Sequence, residues 1–132
     1  KNPSRNNTWI NNQIIMNYIK LHKIGKANSV ECYYNNELVG GLYGILLGKI
    51  FCGESMFSIQ KNASKISLVY LAAHLIEGGF RFIDTQFYSE HLKQFGTKKI
   101  IKSEYLKLLS ENKNKPKGFP LDISQNILEY FN

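Results

Sequence analysis

One stretch of the chain, residues 37–86, constrains the fold more than any other part of the sequence. It predicts two strands, a loop, a helix and a short third strand, in this order: Leu38–Leu47, Ile50–Cys52, residues 53–58, Asn62 to Glu77, and Phe80–Ile83. A strand, a helix and a second strand in succession favour a parallel strand pair joined by a right-handed crossover. Catalytic groups are commonly carried on loops at the ends of such strands.

The residues before this stretch predict one helix and one further strand. Asn11 can cap a helix that runs to about Ile24, and Gly25 follows where a helix commonly ends on glycine. The alternation over residues 30–34 is typical of a half-buried strand, and Asn35-Asn36 predicts a two-residue hairpin turn. The 132 residues therefore predict an α/β (α+β) fold, a mixed sheet flanked by helices, in a single domain over residues 1–132.

Glycines and helix caps within the central stretch allow more than one interpretation. Gly40, Gly41 and Gly44 mark either a bulge or close ligand approach, or a tight bend over a neighbouring helix. Either Asn62 or Ser64 can cap the helix that follows. That helix carries one apolar stripe, formed by Leu68, Val69, Ala72, Leu75 and Ile76.

Beyond residue 86 the pattern is weaker. It predicts a loop or short helix over residues 88–95, a helix near Ser103–Leu109 and a final amphipathic helix, Ser124–Phe131. The last helix would dock through three apolar side chains, Ile127, Leu128 and Phe131.

Composition limits the classes of partner and cofactor. The net charge of +7 favours an acidic partner, either a nucleic acid or an anionic surface. No apolar run is long enough to span a bilayer, so we expect no membrane association. Cys32 and Cys52 lie in apolar strand segments, which favours buried thiols over a disulfide and a reducing, intracellular location. The histidines show no metal-ligand spacing, so we expect neither a metal nor a cofactor.

Three polar side chains come close to the ends of two predicted neighbouring strands. Glu54 is either an exposed turn residue or a carboxylate that orients a cationic or amine substrate. Asp84 either caps a turn or hydrogen-bonds the amide of Gln86, which would polarise the glutamine oxygen toward a proton. Phe51, Met56, Phe57 and Leu42 around the glycine-rich hairpin either pack in the core, which is the default, or line an apolar pocket.

Several short motifs, taken together, resemble those of the leucyl/phenylalanyl-tRNA–protein transferase family. The resemblance covers about Thr8 to Leu109 and rests on motifs that occur in order along the chain: Thr8-Trp9-Ile10, Leu21-His22 to Ser29-Val30-Glu31, Gly40-Gly41-Leu42-Tyr43-Gly44, Phe51-Cys52-Gly53-Glu54-Ser55-Met56-Phe57, Asn62-Ala63-Ser64-Lys65, Ile83-Asp84-Thr85-Gln86, and His91-Leu92 with Phe95-Gly96. One motif alone would be a weak signal, whereas the whole set is specific.

The resemblance implies an acyltransferase fold of the GNAT type (N-acetyltransferase-like) and an aminoacyltransferase activity. Members of the family move leucine or phenylalanine from charged tRNA to the N-terminal Arg or Lys of a protein, which marks that protein for degradation. The implied partners are leucyl-, phenylalanyl- and also methionyl-tRNA, together with acceptor proteins. A monomer in the cytoplasm is expected, or in an organelle if the source is eukaryotic. The family's smaller N-terminal domain is largely absent from these residues, which would form its C-terminal, catalytic domain.

The resemblance also implies roles for individual residues. Glu54 would hold the amino end of the acceptor, and Asp84 would orient Gln86 so that its oxygen draws a proton from the attacking amine. The implied substrate contacts are Trp9, Leu42, Phe51, Met56, Ser58 and Asn62. The implied tRNA contacts are Lys61, Lys65, Lys98, Lys99 and Lys102.

Two alternative functions remain open at the level of the sequence. The first is an acyl-CoA-dependent N-acetyltransferase of the same fold, which a glycine-rich pyrophosphate loop would favour; residues 58–63 contain no such loop. The second is a non-catalytic module that binds RNA or peptide, which would be favoured if Asp84 and Gln86 pointed away from any pocket.

Overall fold

The computed structural model describes residues 10–115 and 118–132, and within them it contains one four-stranded sheet. The elements in chain order are α1 (Asn12–Lys23), β1 (Ala27–Tyr34), β2 (Glu37–Leu47), β3 (Ile50–Ser58), α2 (Ala63–Glu77), β4 (Phe82–Asp84), α3 (Glu90–Lys93), α4 (Lys102–Asn112) and a 3₁₀ helix (Ile127–Phe131). The strand order is β1-β2-β3-β4; the first three strands are antiparallel and β4 is parallel to β3. The predicted mixed α/β sheet with flanking helices is therefore confirmed.

The two longest helices cover opposite faces of the sheet. Leu42 belongs to the core cluster that α2 shares with β2 and β3, whereas the neighbouring Tyr43 contacts Tyr18 of α1. Successive side chains of a strand point to opposite faces, so α1 and α2 lie on different sides. No helix in the described part of the chain is long and apolar enough to cross a membrane.

The beginning of the fold follows the predicted local signals. The Asn11 side chain accepts a hydrogen bond from the Ile14 backbone N–H at 3.0 Å, which caps α1. Gly25 has a φ of +70°, as expected for a glycine that ends a helix. Asn35 and Asn36 have φ values of 50° and 64°, which are the left-handed conformations of a tight hairpin turn.

The predicted loop over residues 53–58 is wrong, because this segment continues β3. Gly53 pairs with Gly44 and Ser55 pairs with Tyr43, so Glu54 is the extra residue of a β-bulge. The local sequence suggests a turn, but the backbone N–H and C=O groups of β2 are available to pair with this segment. The hydrogen bonds formed by this pairing outweigh the local preference for a turn.

The predicted caps of α2 are also wrong. Asn62 precedes the helix in a left-handed conformation with a φ of 70° and makes no side-chain cap, and Ser64 already lies inside the helix. The side-chain oxygen of Ser58, at the end of β3, accepts the Ser64 backbone N–H at 3.3 Å. The Ser58 side chain on the strand therefore accepts a hydrogen bond from a backbone N–H at the helix start that has no partner within the helix.

Two glycines of strand β2 match interpretations that the sequence left open: one packs closely against a helix, and the other lies at a bulge. A Cβ on Gly40 would lie 2.5 Å from the Ala63 Cβ, so the glycine permits the close approach of α2. Gly44 lies beside the bulge, where a Cβ would meet the Phe51 ring and the Cys52 carbonyl oxygen. The structure explains both glycines by contacts within the protein.

The hydrophobic core lies between α2 and the sheet. Its buried members are Leu42, Leu46, Phe51, Leu68, Leu71 and Leu75, and Met56, Ile83 and Phe119 are among the side chains packed against them. The predicted stripe of α2 is only partly correct, since Ile76 is 50% exposed and Leu71 and Ala73 are buried instead. Cys32 and Cys52 are half-buried free thiols, which confirms the preference for thiols over a disulfide.

The last residues form a strap across α2 and not the predicted helix. Only Ile127–Phe131 is helical, as a 3₁₀ turn, and Leu128 is 69% exposed. Glu77 of α2 attaches this segment, because it accepts hydrogen bonds from Ser124 at 2.8 Å and from Tyr130 at 2.5 Å. The amphipathic spacing of residues 124–131 alone did not predict these hydrogen bonds.

Candidate active site

The three polar side chains singled out in the sequence meet at one edge of the sheet. Strands β3 and β4 are parallel neighbours, and Cys52 is in register with Asp84. Glu54 on β3 and Gln86 after β4 therefore come within hydrogen-bonding distance of each other although they are 32 residues apart in the chain. The parallel crossover through α2 produces this convergence.

Gln86 is held by three hydrogen bonds. Its backbone N–H donates to Asp84 Oδ1 at 2.8 Å, and its side-chain Nε2 donates to the Gly53 carbonyl at 2.8 Å and to Glu54 Oε1 at 3.2 Å. Asp84 thus holds the Gln86 backbone, whereas Glu54, and not Asp84 as the sequence suggested, contacts the side-chain amide. Both amide protons are used, so the amide oxygen is the group left to meet a donor from a substrate.

Glu54 lies at the bulge of β3, where two tyrosines surround its carboxylate. Burial and a hydrogen bond to Glu54 raise the pKa of Tyr18, and burial followed by the Glu54 charge raises the pKa of Tyr43. The two rings meet edge to face at 4.9 Å between centroids. The bulge turns the carboxylate toward α1, and both phenols stay protonated beside it.

Asp84 has a second partner from a distant part of the chain. The Tyr105 hydroxyl on α4 donates to Asp84 Oδ2 at 2.9 Å. This hydrogen bond, together with burial and the Asp84 charge, raises the pKa of Tyr105. Both carboxylate oxygens of Asp84 are therefore occupied, one by the following turn and one by a helix.

The Cys52 thiol lies close to both carboxylates. Burial, with the charges of Asp84 and Glu54, raises the pKa of Cys52 to about 11. The sulfur is therefore neutral near pH 7, and a neutral thiol is a poor nucleophile. The site does not supply the thiolate that a covalent mechanism through Cys52 would need.

Neither site carboxylate is neutralised within the described residues. The only ion pair among them joins Lys93 Nζ to Glu90 Oε2 at 3.5 Å, outside the site. In the same residues, no group of three or more His, Cys, Asp or Glu side chains could hold a metal ion. The polar end of the site therefore presents unpaired negative charge, which suits a cationic substrate group.

A large cleft of about 1310 Å³ opens beside Asp84 and Gln86. Its walls come from α2, the loop after β4, α3 and α4, and they are mainly apolar: Leu68, Val69, Leu75, Ile76, Ile83, Leu92 and Phe95. Leu42 and Phe51 are not among its lining residues; they are buried behind it in the core, and Met56 packs against that core. Leu68 and Leu75 belong to both the cleft wall and the core, so the two are continuous.

The other residues implied by the family resemblance divide between two places. Ser58, Lys61, Asn62 and Lys65 line a smaller cavity of about 270 Å³ at the start of α2, where Lys65 Nζ also donates to Gln94 at 3.2 Å. Lys98, Lys99 and Lys102 line the large cleft, and Lys99 Nζ lies 4.6 Å from the centre of the Tyr88 ring. Trp9 lies outside the described residues.

Sequence reasoning missed the tyrosines of the site. Nothing in the sequence around Tyr18 predicts a contact with Glu54, and nothing around Tyr105 predicts a contact with Asp84. No local signal could have revealed either contact, because both depend on how α1 and α4 pack against the sheet.

Comparison with known proteins identifies one family over most of the chain. The family model described as leucyl/phenylalanyl-tRNA protein transferase matches residues 1–110. The chain is similar to proteins of this name from several bacteria. It is 52% identical over 109 residues to the one from Maricaulis maris, which covers 83% of this chain and 50% of the relative.

Two further relatives carry the same name. The protein from Nitrobacter winogradskyi is 53% identical over 107 residues, which covers 81% of this chain and 48% of the relative. The protein from a Shewanella species is 45% identical over 113 residues, which covers 86% of this chain and 48% of the relative. The chain thus spans about half the length of the curated relatives it matches.

Proposed function

The chain belongs to the leucyl/phenylalanyl-tRNA–protein transferase family, and from this premise we propose that it transfers leucine or phenylalanine from charged tRNA to the N-terminal Arg or Lys of acceptor proteins. The observation that carries the proposal is that Asp84 and Gln86 line an apolar cleft while Glu54 contacts the Gln86 amide. Negative charge that can attract the amine of the acceptor and apolar space for the side chain of the donor amino acid are then adjacent, as this reaction needs.

On the acceptor side, Glu54 attracts the cationic amino end of the protein substrate. After the amino end loses one proton to solvent, the neutral α-amine attacks the ester carbonyl carbon of the donor, the new nitrogen–carbon bond forms, and the ester bond to the tRNA ribose breaks. The Gln86 oxygen accepts a hydrogen bond from the attacking amine and orients its lone pair. A glutamine is a weak base, so the proton passes to the departing ribose oxygen with help from the tRNA's own hydroxyl.

On the donor side, the apolar cleft receives the leucine or phenylalanine side chain. Its volume of about 1310 Å³ exceeds that of the amino acid alone and leaves space for the terminal nucleoside. Leu68, Leu75 and Ile83 give the inner wall its apolar character, with Leu42, Phe51 and Met56 supporting it from the core. We also assign Trp9 to this pocket, on the family resemblance alone.

For the tRNA itself, we propose that lysines at two cavities contact phosphates. Lys61 and Lys65 lie at the small cavity with Ser58 and Asn62, and Lys98, Lys99 and Lys102 lie along the large cleft. Phosphate contacts release counterions, so tRNA binding should weaken steeply as salt concentration rises. Affinity that is independent of salt would argue against a lysine-built tRNA surface.

We propose further that the sheet is the core of a GNAT-type fold. A helix, an antiparallel meander and a parallel crossover through α2 support this assignment. Residues 1–132 would act as the catalytic domain, as a monomer. Transfer from charged tRNA would take place in the cytoplasm, or in an organelle if the source is eukaryotic, and would mark acceptor proteins for degradation.

The decisive test is transfer of labelled leucine from charged tRNA to a peptide that begins with Arg. The reaction is run with this chain and with a longer version that adds the family's N-terminal domain; a peptide that begins with Asp is the matched control. Transfer to the Arg peptide by either protein supports the proposal, and transfer by the longer one alone shows that the added domain is required. Folded protein that uses acyl-CoA, or no donor at all, overturns the proposal.

A further inference from the structure

The two oxygens of the Asp84 carboxylate are held from different directions. Oδ1 accepts the backbone N–H of Gln86 at 2.8 Å, a contact between residues that are two apart in the chain. Oδ2 accepts the Tyr105 hydroxyl at 2.9 Å, a contact that spans 21 residues. The first contact is a local turn, whereas the second exists only when α4 packs against the end of β4.

We propose that Tyr105 is a positioning residue of the transfer reaction, which fixes the plane of the Asp84 carboxylate and, through Asp84, the Gln86 backbone. Its effect on the reaction rate rests on the proposed function. Its effect on the Asp84–Gln86 turn rests on the hydrogen bonds alone, so the two can be tested separately.

The need for such a support follows from the conformation of Gln86. Its φ is 59°, in the left-handed region that residues other than glycine adopt infrequently. The Asp84 carboxylate stabilises this conformation by accepting the Gln86 N–H. A carboxylate held by that bond alone can rotate about its last side-chain bond, and a second donor on a helix removes this freedom.

Tyr105 is suited to be that donor. Its ring is attached to α4 and its hydroxyl stays protonated, since the hydrogen bond to Asp84 raises its pKa. The contacts then continue from Asp84 to the Gln86 backbone, and from the Gln86 amide to Gly53 and Glu54. Tyr105 therefore influences Gln86 through Asp84, and its removal should change turnover more than substrate binding.

The first experiment compares Tyr105→Phe with Tyr70→Phe in the transfer assay. Tyr70 is the matched control, because its hydroxyl makes no hydrogen bond within residues 10–115 and 118–132. We expect Tyr105→Phe to lower kcat about tenfold, the effect of losing one hydrogen bond to a charged group, and to leave KM for both substrates within about twofold. An unchanged kcat overturns the proposal, as does a loss that only follows the folded fraction.

A double-mutant cycle separates positioning from a direct role. If Tyr105 acts only through Asp84, adding Tyr105→Phe to Asp84→Ala causes no further loss of kcat. A full additional tenfold loss in the double variant shows that Tyr105 acts by another route and overturns the proposal.

Hydrogen exchange of the Gln86 backbone amide gives a readout that does not depend on activity. We expect Tyr105→Phe, but not Tyr70→Phe, to speed this exchange several-fold, because the acceptor oxygen on Asp84 becomes mobile. If neither this chain nor the longer version transfers an amino acid, the proposed function is wrong while this measurement still decides the role of Tyr105. Unchanged exchange at Gln86 overturns it.

Discussion

Two carboxylates on neighbouring strands meet at the candidate active site, but different parts of the fold hold them. Glu54 lies at a bulge within β3, a nine-residue strand, and its partners come from α1, β2 and the Gln86 amide. Asp84 ends β4, a three-residue strand, and depends on the following turn and on Tyr105 of α4. The Glu54 region belongs to the central meander, whereas the Asp84 region needs the last third of the chain to complete it.

We propose that this difference corresponds to two separate functions within one site. The Glu54 carboxylate has no cation beside it in the described residues and is available to a charged substrate. Each oxygen of the Asp84 carboxylate accepts a hydrogen bond from the protein, so we propose that Asp84 acts by organising the loop. We therefore expect changes at Glu54 to affect acceptor binding and changes at Asp84 to affect the rate of transfer.

The largest effect is expected for Asp84→Ala. Removing the carboxylate releases the Gln86 backbone and the Tyr105 hydroxyl, so kcat should fall about 100-fold, the usual range for losing assistance to proton transfer. Steady-state transfer rates measure the fall, and a thermal melt confirms that the protein remains folded. Asp122→Ala is the control, since Asp122 is exposed and distant in sequence from the site. Wild-type activity in the Asp84 variant would contradict the role of the Asp84–Gln86 pair.

A smaller effect, of a different kind, is expected for Glu54→Gln. The amide keeps an oxygen for the Gln86 hydrogen bond but loses the charge that attracts the acceptor's amino end, so KM for the Arg peptide should rise about tenfold. The KM for charged tRNA should change little. Glu37→Gln at the exposed start of β2 is the control. A fall in kcat with constant KM would mean that both carboxylates affect the rate of transfer, which would contradict the division of roles between Glu54 and Asp84.

Tyr18→Phe should produce a weaker version of the Glu54 effect. The variant removes one donor to the Glu54 carboxylate, but the Gln86 amide remains, so we expect KM for the acceptor to rise about threefold. Peptide titrations measured beside Glu54→Gln would reveal this ordering. A rise larger than that of Glu54→Gln would show that the Tyr18 hydroxyl contacts the acceptor itself.

The smallest effect concerns the Cys52 thiol, which reports on both carboxylates at once. Its reaction with iodoacetamide, followed in a Cys32→Ala background, should increase with pH toward a midpoint of about 11. Burial is the main cause, so both Asp84→Asn and Glu54→Gln should lower the midpoint only slightly. Asp84→Asn should lower it more, since the Asp84 charge contributes more than that of Glu54. The reverse order would show that Glu54 is the carboxylate closer to the sulfur.

Local signals in the sequence account for much of the fold and for part of the site. Asn11, Gly25 and the Asn35-Asn36 turn were predicted correctly because capping and positive φ depend on a few neighbouring residues. Residues 53–58 were wrongly predicted as a loop because a glycine followed by polar residues resembles a turn. Pairing with β2 makes the segment a strand instead. The caps of α2 failed for a similar reason, since the acceptor comes from Ser58 on another element.

The sequence by itself determined that Glu54, Asp84 and Gln86 are candidates, and that a strand–helix–strand unit would bring them to one edge of a sheet. Only the tertiary structure decided which atoms meet: Glu54 contacts the Gln86 amide, Asp84 contacts its backbone, and Tyr105 supplies the second donor to Asp84. The physical reason is the separation along the chain over which each kind of interaction acts. Periodicity and capping act over a few residues, whereas the Tyr105 and Glu54 contacts bridge 21 and 32 residues and form only when helices and strands pack together.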